Sequence, residues 1–245
     1  MQFEIDNKKA IANRGNLFRL KQVMRRAEAG EPVKVGFIGG SITMGCLATE
    51  PELCYAYRVY KWWQEKFPKT EVSYINAGIG ATTSQFAAAR VEKDLLDQKP
   101  DVVFVEFSVN DDANEFFMET YESLIRKIYT FGQKTAIITI NCVRYDDGGS
   151  AEVWHAKVAR YYELPQISMQ RSIYPEVAAG RISAEEITAD YLHPNDIGHK
   201  LVAGVIESFL EEVYTEREQK EAEAEEKAPL TEASYQHAVR YRNDN

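Results

Sequence analysis

The stretch Val33-Lys34-Val35-Gly36-Phe37-Ile38-Gly39-Gly40-Ser41-Ile42-Thr43-Met44-Gly45 decides how the rest of the chain reads. Its first seven residues are close to continuously apolar and rich in branched side chains, the pattern of a strand covered on both faces. Two glycines then open a turn, and the serine after them has little steric cover. Its hydroxyl can face a cleft, and its backbone N–H can point at a developing oxyanion. Taken alone, the same serine also reads as a turn or N-cap residue. No Gly-Lys-Ser/Thr follows, which excludes a P-loop, and G-x-G-x-x-G is absent, which argues against a dinucleotide fingerprint. Thr43 stands where the nucleophile elbow of α/β hydrolases requires glycine.

Outward from this stretch, strand-like runs recur at 72–78, 102–110 and 135–143, with a weaker one at 164–169. Helical patterns lie between them. Leu17, Leu20, Val23, Met24 and Ala27 recur at helical spacing before a stop at Gly30, and 55–67, 84–96, 115–131 and 197–213 also read as helices. This alternation predicts a parallel sheet with helices on both faces, a three-layer α/β/α sandwich of flavodoxin-like type spanning 1–214. Ligands of such sheets bind at the carboxyl ends of the strands, so functional residues are expected just after strands.

That expectation finds three further blocks. Asn76-Ala77-Gly78-Ile79-Gly80-Ala81-Thr82-Thr83 ends the second run in an open, glycine-rich loop whose amides can be donors. Ser108-Val109-Asn110-Asp111 ends the third, where the Asn110 side chain can donate to the same oxyanion; a helix-capping role is the alternative. Asp190-Tyr191-Leu192-His193-Pro194-Asn195 comes near the end. Three-residue spacing on a helical turn would let Asp190 bond one imidazole nitrogen of His193 and leave the other for the serine. Asn195 is placed to cap the last helix. His155, His199 and His237 lack such a partner in sequence and read as incidental surface residues. Each block alone is weak, but four in order, three directly after successive strands, are not a chance alignment.

Together these blocks resemble the SGNH (GDSL-like) hydrolase superfamily over roughly 33–209. The resemblance implies Ser41 as nucleophile, His193 as general base and Asp190 as its orienter. It implies an oxyanion hole of the Ser41 amide, one amide of the second block and the Asn110 side chain. Counted from Asn76, the family's second-block glycine falls on Ala81, with Gly80 one residue earlier. An alanine amide serves only where φ is negative, so both residues stay open. Ser108 replaces the glycine usually found two residues before the Asn and is expected to narrow the floor of the site. Gly40-Ser41-Ile42-Thr43, Cys54-Tyr55-Ala56-Tyr57-Arg58, the whole second block and Asp190-Tyr191-Leu192-His193-Pro194-Asn195-Asp196 go further, and resemble the carbohydrate esterases of family seventeen. That resemblance implies a serine esterase removing O-acetyl groups from acetylated carbohydrate, mannan first, by two-step acyl transfer. A lysophospholipase or thioesterase of the same superfamily, or a non-catalytic carbohydrate-binding protein on the same fold, are the alternatives. Trp62, Trp63, Trp154, Tyr55 and Phe116 could stack on a sugar ring, although aromatics within helices belong to the core more often than to a surface.

Composition bounds the remaining possibilities. The net charge of −9 argues against nucleic acid or an anionic membrane as partner. The charge is uneven, because 211–227 holds eight Glu against three Lys or Arg. From about Thr215 an acidic Glu/Ala/Lys-rich helix is expected, broken at Ala228-Pro229 and followed by a polar linker or docking arm to 245. By family resemblance that arm would lead to a carbohydrate-binding module. The acidic helix could support a homo-oligomer, but a solvated surface helix is the simpler reading. Cys46, Cys54 and Cys142 have no C-x-x-C spacing and read as free thiols. The N-terminus lacks the apolar core and cleavage site of a secretory signal, so a cytoplasmic location is expected. No His/Cys/Asp spacing suggests a metal, and the chemistry requires no cofactor.

Overall fold

In the computed structural model, which describes residues 3–241, alternate side chains of the first long strand enter two different cores. Val33, Val35 and Phe37 join one cluster, and Ile38 joins the other. The pattern repeats in the neighbouring strand, with Val102 and Phe104 on the first side and Val103 and Val105 on the second. A strand buried on both faces has no polar side to show, which is why these runs are almost continuously apolar. Phe37 and Phe104 stack at 4.8 Å between ring centroids. Complete burial of each ring contributes about 1.5–3 kcal/mol.

Six strands form one sheet: β1 (Ile11–Asn13), β2 (Val33–Gly39), β3 (Val72–Gly78), β4 (Val102–Glu106), β5 (Ala136–Asn141) and β6 (Gln166–Ser168). Their order is β1-β6-β5-β4-β2-β3. β2 to β6 are parallel and follow the flavodoxin-like order, as the alternation predicts. β1 is an addition. It pairs antiparallel with β6 through Ile11 and Ile167, and three residues are too short for a periodic signal.

Helices α1 (Phe18–Glu28), α3 (Tyr55–Lys66) and α9 (Asp196–Thr215) pack on the first core, and α4 (Ser84–Asp94), α5 (Glu115–Tyr129) and α6 (Glu152–Tyr161) on the second. Short helices α2 (Ser41–Met44), α7 (Ile173–Ala178) and α8 (Ala184–Ile187) complete the set. Among the described residues no helix is long and apolar enough to cross a membrane.

The acidic helix expected after Thr215 does not form. α9 ends there, and the chain runs on as an extended arm along its own domain. Carboxylates at the end of α9 and along the arm find cations on the domain. Glu212 and Glu216 meet Arg14, Glu221 meets Lys21, and Glu223 meets Arg19 and Lys134. Farther on, both oxygens of the buried Glu122 accept backbone amides of Leu230 and Thr231, and Arg240 pairs with Asp94. A helix would satisfy its amides internally, whereas the amides of Leu230, Thr231, Ser234 and Arg240 in this arm bond to the domain. Residues 242–245 of the expected arm lie outside the described residues.

Candidate active site

β2 and β4 are neighbours in the sheet, but their successors in sequence lie on opposite sides, so a crevice opens where their carboxyl ends diverge. Ser41 follows β2 and Asn110 follows β4 at this point. Ser41 is the first residue of α2, whose first-turn amides have no partner within the helix. Gly45, at φ 101°, ends α2 after one turn, in a conformation glycine adopts freely. The close fit of β3 beside it depends on Gly78, since a Cβ there would lie 2.7 Å from Met44 Cα.

The Ser41 hydroxyl lies 2.8 Å from His193 Nε2, and His193 Nδ1 lies 2.6 Å from Asp190 Oδ2. The second Asp190 oxygen accepts the backbone amides of His193 (2.7 Å) and Leu192 (3.0 Å). Burial by itself would raise the Asp190 carboxyl, but the bonds from the His193 ring and these amides outweigh it and bring it down to about 2. The carboxylate is therefore ionised at any working pH. With Nδ1–H donated to it, Nε2 is left as the acceptor facing the serine.

The expected helical turn under Asp190 and His193 is absent. They sit on an irregular loop closed by a bridge between Thr188 and Pro194. Tyr191 adopts φ 61°, an uncommon conformation for a bulky residue. Its carbonyl accepts the Tyr145 amide at 2.7 Å, which holds the turn. Asn195 does cap α9, accepting the amides of Ile197 and Gly198.

On the oxyanion side the two second-block candidates differ in backbone conformation and position. Ala81 has φ 55°, which fails the condition its amide had to meet. Gly80 adjoins the serine: a Cβ on it would lie 3.8 Å from Ser41 Cβ and 3.5 Å from Met44 Cε. Asn110 lies directly against Gly40, where a Cβ would overlap its Oδ1 and stand 2.8 Å from its Cγ. That Oδ1 is buried without a partner. Ser108 does not narrow the floor as expected. Its hydroxyl turns away to the Glu106 carboxyl and the Cys142 carbonyl, both at 2.9 Å, in a fully buried position.

Sequence reasoning missed two histidines. His199 and His155 are buried, not incidental surface residues. His199 Nδ1 accepts the Tyr55 amide and Nε2 donates to the Cys46 carbonyl, which ties the loop after α2 to α3 and α9. Burial lowers its pKa and keeps it neutral in that role. His155 contacts Asp111, the residue after Asn110. A signal existed: His199 and His155 each sit in a helix among apolar residues, where a titratable side chain must find a partner. Of the five aromatics considered for sugar stacking, Tyr55 and Trp63 are core, Trp62 is half-buried and bonded to Glu211, Trp154 lies under Lys157, and Phe116 is exposed.

The fold recurs in known proteins. A two-domain esterase active on acetylated mannans, crystallised with mannopentaose, superposes with a TM-score of 0.95 at 54% identity, over 99% of this chain and 65% of that one. A second crystal structure of such an esterase gives 0.97 at the same identity and coverage. This chain thus spans about 65% of the length of those two-domain proteins. An acetylxylan esterase of Geobacillus stearothermophilus is 24% identical over 213 residues, covering 75% of this chain and 95% of its own length. Residues 37–201 match the model of the GDSL-like lipase/acylhydrolase family, and with Ser41, Asn110 and His193 inside that span the chain belongs to it.

Proposed function

We propose that this protein is a serine esterase that removes O-acetyl groups from acetylated plant polysaccharide or oligosaccharide, acetylated mannan first. The observation that carries this reading is the unbroken relay Ser41 Oγ to His193 Nε2 (2.8 Å) and His193 Nδ1 to Asp190 Oδ2 (2.6 Å). The likeness to an esterase active on acetylated mannans supports the substrate. His193 takes the Ser41 proton as Oγ bonds to the acetyl carbon. The carbonyl oxygen, now an anion, is held by the amides of Ser41 and Gly80 and the Asn110 side chain. Collapse breaks the ester C–O bond, and His193 returns the proton to the departing sugar hydroxyl. Water then attacks the acetyl-serine with the same base, releasing acetate and restoring Ser41. A groove lined by Met44, Tyr57, Tyr74 and Asn76 shares Met44 with α2, the short helix that Ser41 opens. The extended arm belongs to the same folded unit as the catalytic body. The three cysteines carry free thiols, which supports a reducing, cytoplasmic setting.

The test is acetate release from acetylated mannan and acetylated xylan, with NMR of the O-acetyl groups that disappear. Ser41→Ala should abolish release while melting within a few degrees of the wild type. Retained activity in that variant would refute the mechanism. Faster turnover of octanoyl than of acetyl p-nitrophenyl ester would overturn the acetyl substrate and favour a lysophospholipase or thioesterase.

A further inference from the structure

Beneath the site lies a buried pair that acyl transfer does not consume. Asp111 follows Asn110 directly, and its side chain is completely buried. Its Oδ1 accepts the Ser84 amide at 2.9 Å, and its Oδ2 lies 3.1 Å from His155 Nε2. Ser84 opens α4 and comes immediately after the loop 79–83 that carries Gly80, and its hydroxyl is bonded to Thr120 at 2.7 Å. One carboxylate therefore joins the loop bearing Gly80 to the turn bearing Asn110. That turn is closed on its other side by the amides of Asn110 and Asp111, both donating to the Phe107 carbonyl.

His155 comes from a third element, α6, and is itself fully buried. Its ring stacks on Tyr121 of α5 at 3.7 Å and 6°. A single hydrogen bond joins Asp111 Oδ2 and His155 Nε2. The stack fixes the direction of that bond and hence the rotamer of Asp111. A negative charge is also favoured at the first amide of α4.

We propose that Asp111 and His155 are positioning residues for the oxyanion hole, holding Gly80 and Asn110 at one separation while neither touches the substrate. This rests on the assignment of Gly80 and Asn110 as oxyanion donors. The physical reason is that a hole works only when its donors are already aimed at where charge develops, and a misplacement of about 1 Å can cost about a hundredfold in rate. Gly80 lies on a loop, so its place is set by whatever anchors that loop, and Asp111 anchors its end at the Ser84 amide. A capping carboxylate with a purely structural part would affect melting without selecting the chemical step.

The experiment is a double-mutant cycle. His155→Phe keeps a ring against Tyr121 and removes the bond to Asp111, and His155→Gln restores a donor on a shorter side chain. Steady-state kinetics on p-nitrophenyl acetate would be measured for each, alone and with Asn110→Ala, alongside thermal melts. Expected for His155→Phe is a kcat lower by about 10- to 100-fold with KM within about twofold, partly regained in His155→Gln. In the Asn110→Ala background the same change should cost at least threefold less than in the wild type, because part of what it misplaces is already gone. Should His155→Phe fail to fold, Asp111→Asn runs the same cycle, since it keeps an acceptor for Ser84. Full additivity, or a lower melting temperature with kcat unchanged, would overturn the proposal. Asn110→Ala with wild-type kcat would instead refute the oxyanion assignment beneath it.

Discussion

Gly40→Ala places one methyl group at the most sensitive contact of the site. Gly40 has φ −86°, so an alanine there meets no left-handed strain. Its Cβ would stand 2.8 Å from Asn110 Cγ and 3.1 Å from Nδ2, with Oδ1 nearer still. Non-bonded carbon atoms rest at about 3.5–4.0 Å, so the carboxamide must withdraw by about 1 Å. A donor that should stand about 2.7–3.1 Å from the oxyanion is then close to 4 Å away and contributes little. Loss of one such donor costs about 3 kcal/mol of the barrier, or about a hundred- to a thousandfold in kcat. The assay is the saturating rate on p-nitrophenyl acetate with a thermal melt as control. The control with most power is Gly40→Ala in Asn110→Ala. There the carboxamide is gone and the methyl has room, so the further loss should be under about threefold by the usual logic of coupled neighbours. The reasoning is refuted if Gly40→Ala alone keeps wild-type kcat. It fails equally if the double variant loses as much again as the first substitution.

Two further predictions concern stability. Burial pushes the Glu106 carboxyl up to about 7, against opposing bonds from the Ser108 hydroxyl and amide, and its Oε2 has no partner. Between the unfolded value near 4.3 and about 7, the folded protein keeps a proton that the unfolded chain has lost. Stability therefore falls as pH rises through that window, by about 4 kcal/mol in all. Urea denaturation at pH 4.5 and 7.5 should show this drop shrinking in Glu106→Gln, and equal drops in both proteins would contradict it. Glu122→Ala strips the acceptor from the amides of Leu230 and Thr231. It should destabilise by about 0.5–1.5 kcal/mol for each of these part-buried bonds lost. Hydrogen exchange across 229–241 should accelerate while kcat stays within about twofold, and unchanged exchange would show that the arm is held elsewhere.

Local pattern made most of the framework legible. Branched apolar runs bounded by turn residues identified β2 and β3 residue for residue, and β2 is nearly continuous because a strand between two helical layers must be apolar on both sides. Stops such as Gly30 and caps such as Asn195 marked helix ends, because the unpaired amides and carbonyls there need specific residues. Runs 102–110 and 135–143 proved shorter as strands, since their last residues leave the sheet to build loops over its carboxyl edge. α6 escaped notice because 144–163 mixes polar and apolar residues without a clean helical stripe, and α7, at six residues, is too short to show one. The acidic arm misled for a related reason. Helix propensity is local, but Arg14, Arg19 and Lys21 lie about 200 positions away and outbid it with fixed charge.

At the site the division is sharper. By itself the sequence determined which chemistry-bearing residues exist and in what order: Ser41 after β2, Asn110 after β4, Asp190 and His193 before α9. Spacing along the chain carries that information because parallel strands deliver their carboxyl ends to one edge. Only the tertiary structure gives Ala81 its φ of 55° and sets Gly80 beside Ser41, since φ at a loop residue depends on what the loop packs against. Only it turned Ser108 away from the cleft and brought Asp111 to Ser84 and His155, from 27 and 44 positions away. Buried polar groups find partners wherever the fold brings them, and no local pattern records a bond between distant segments.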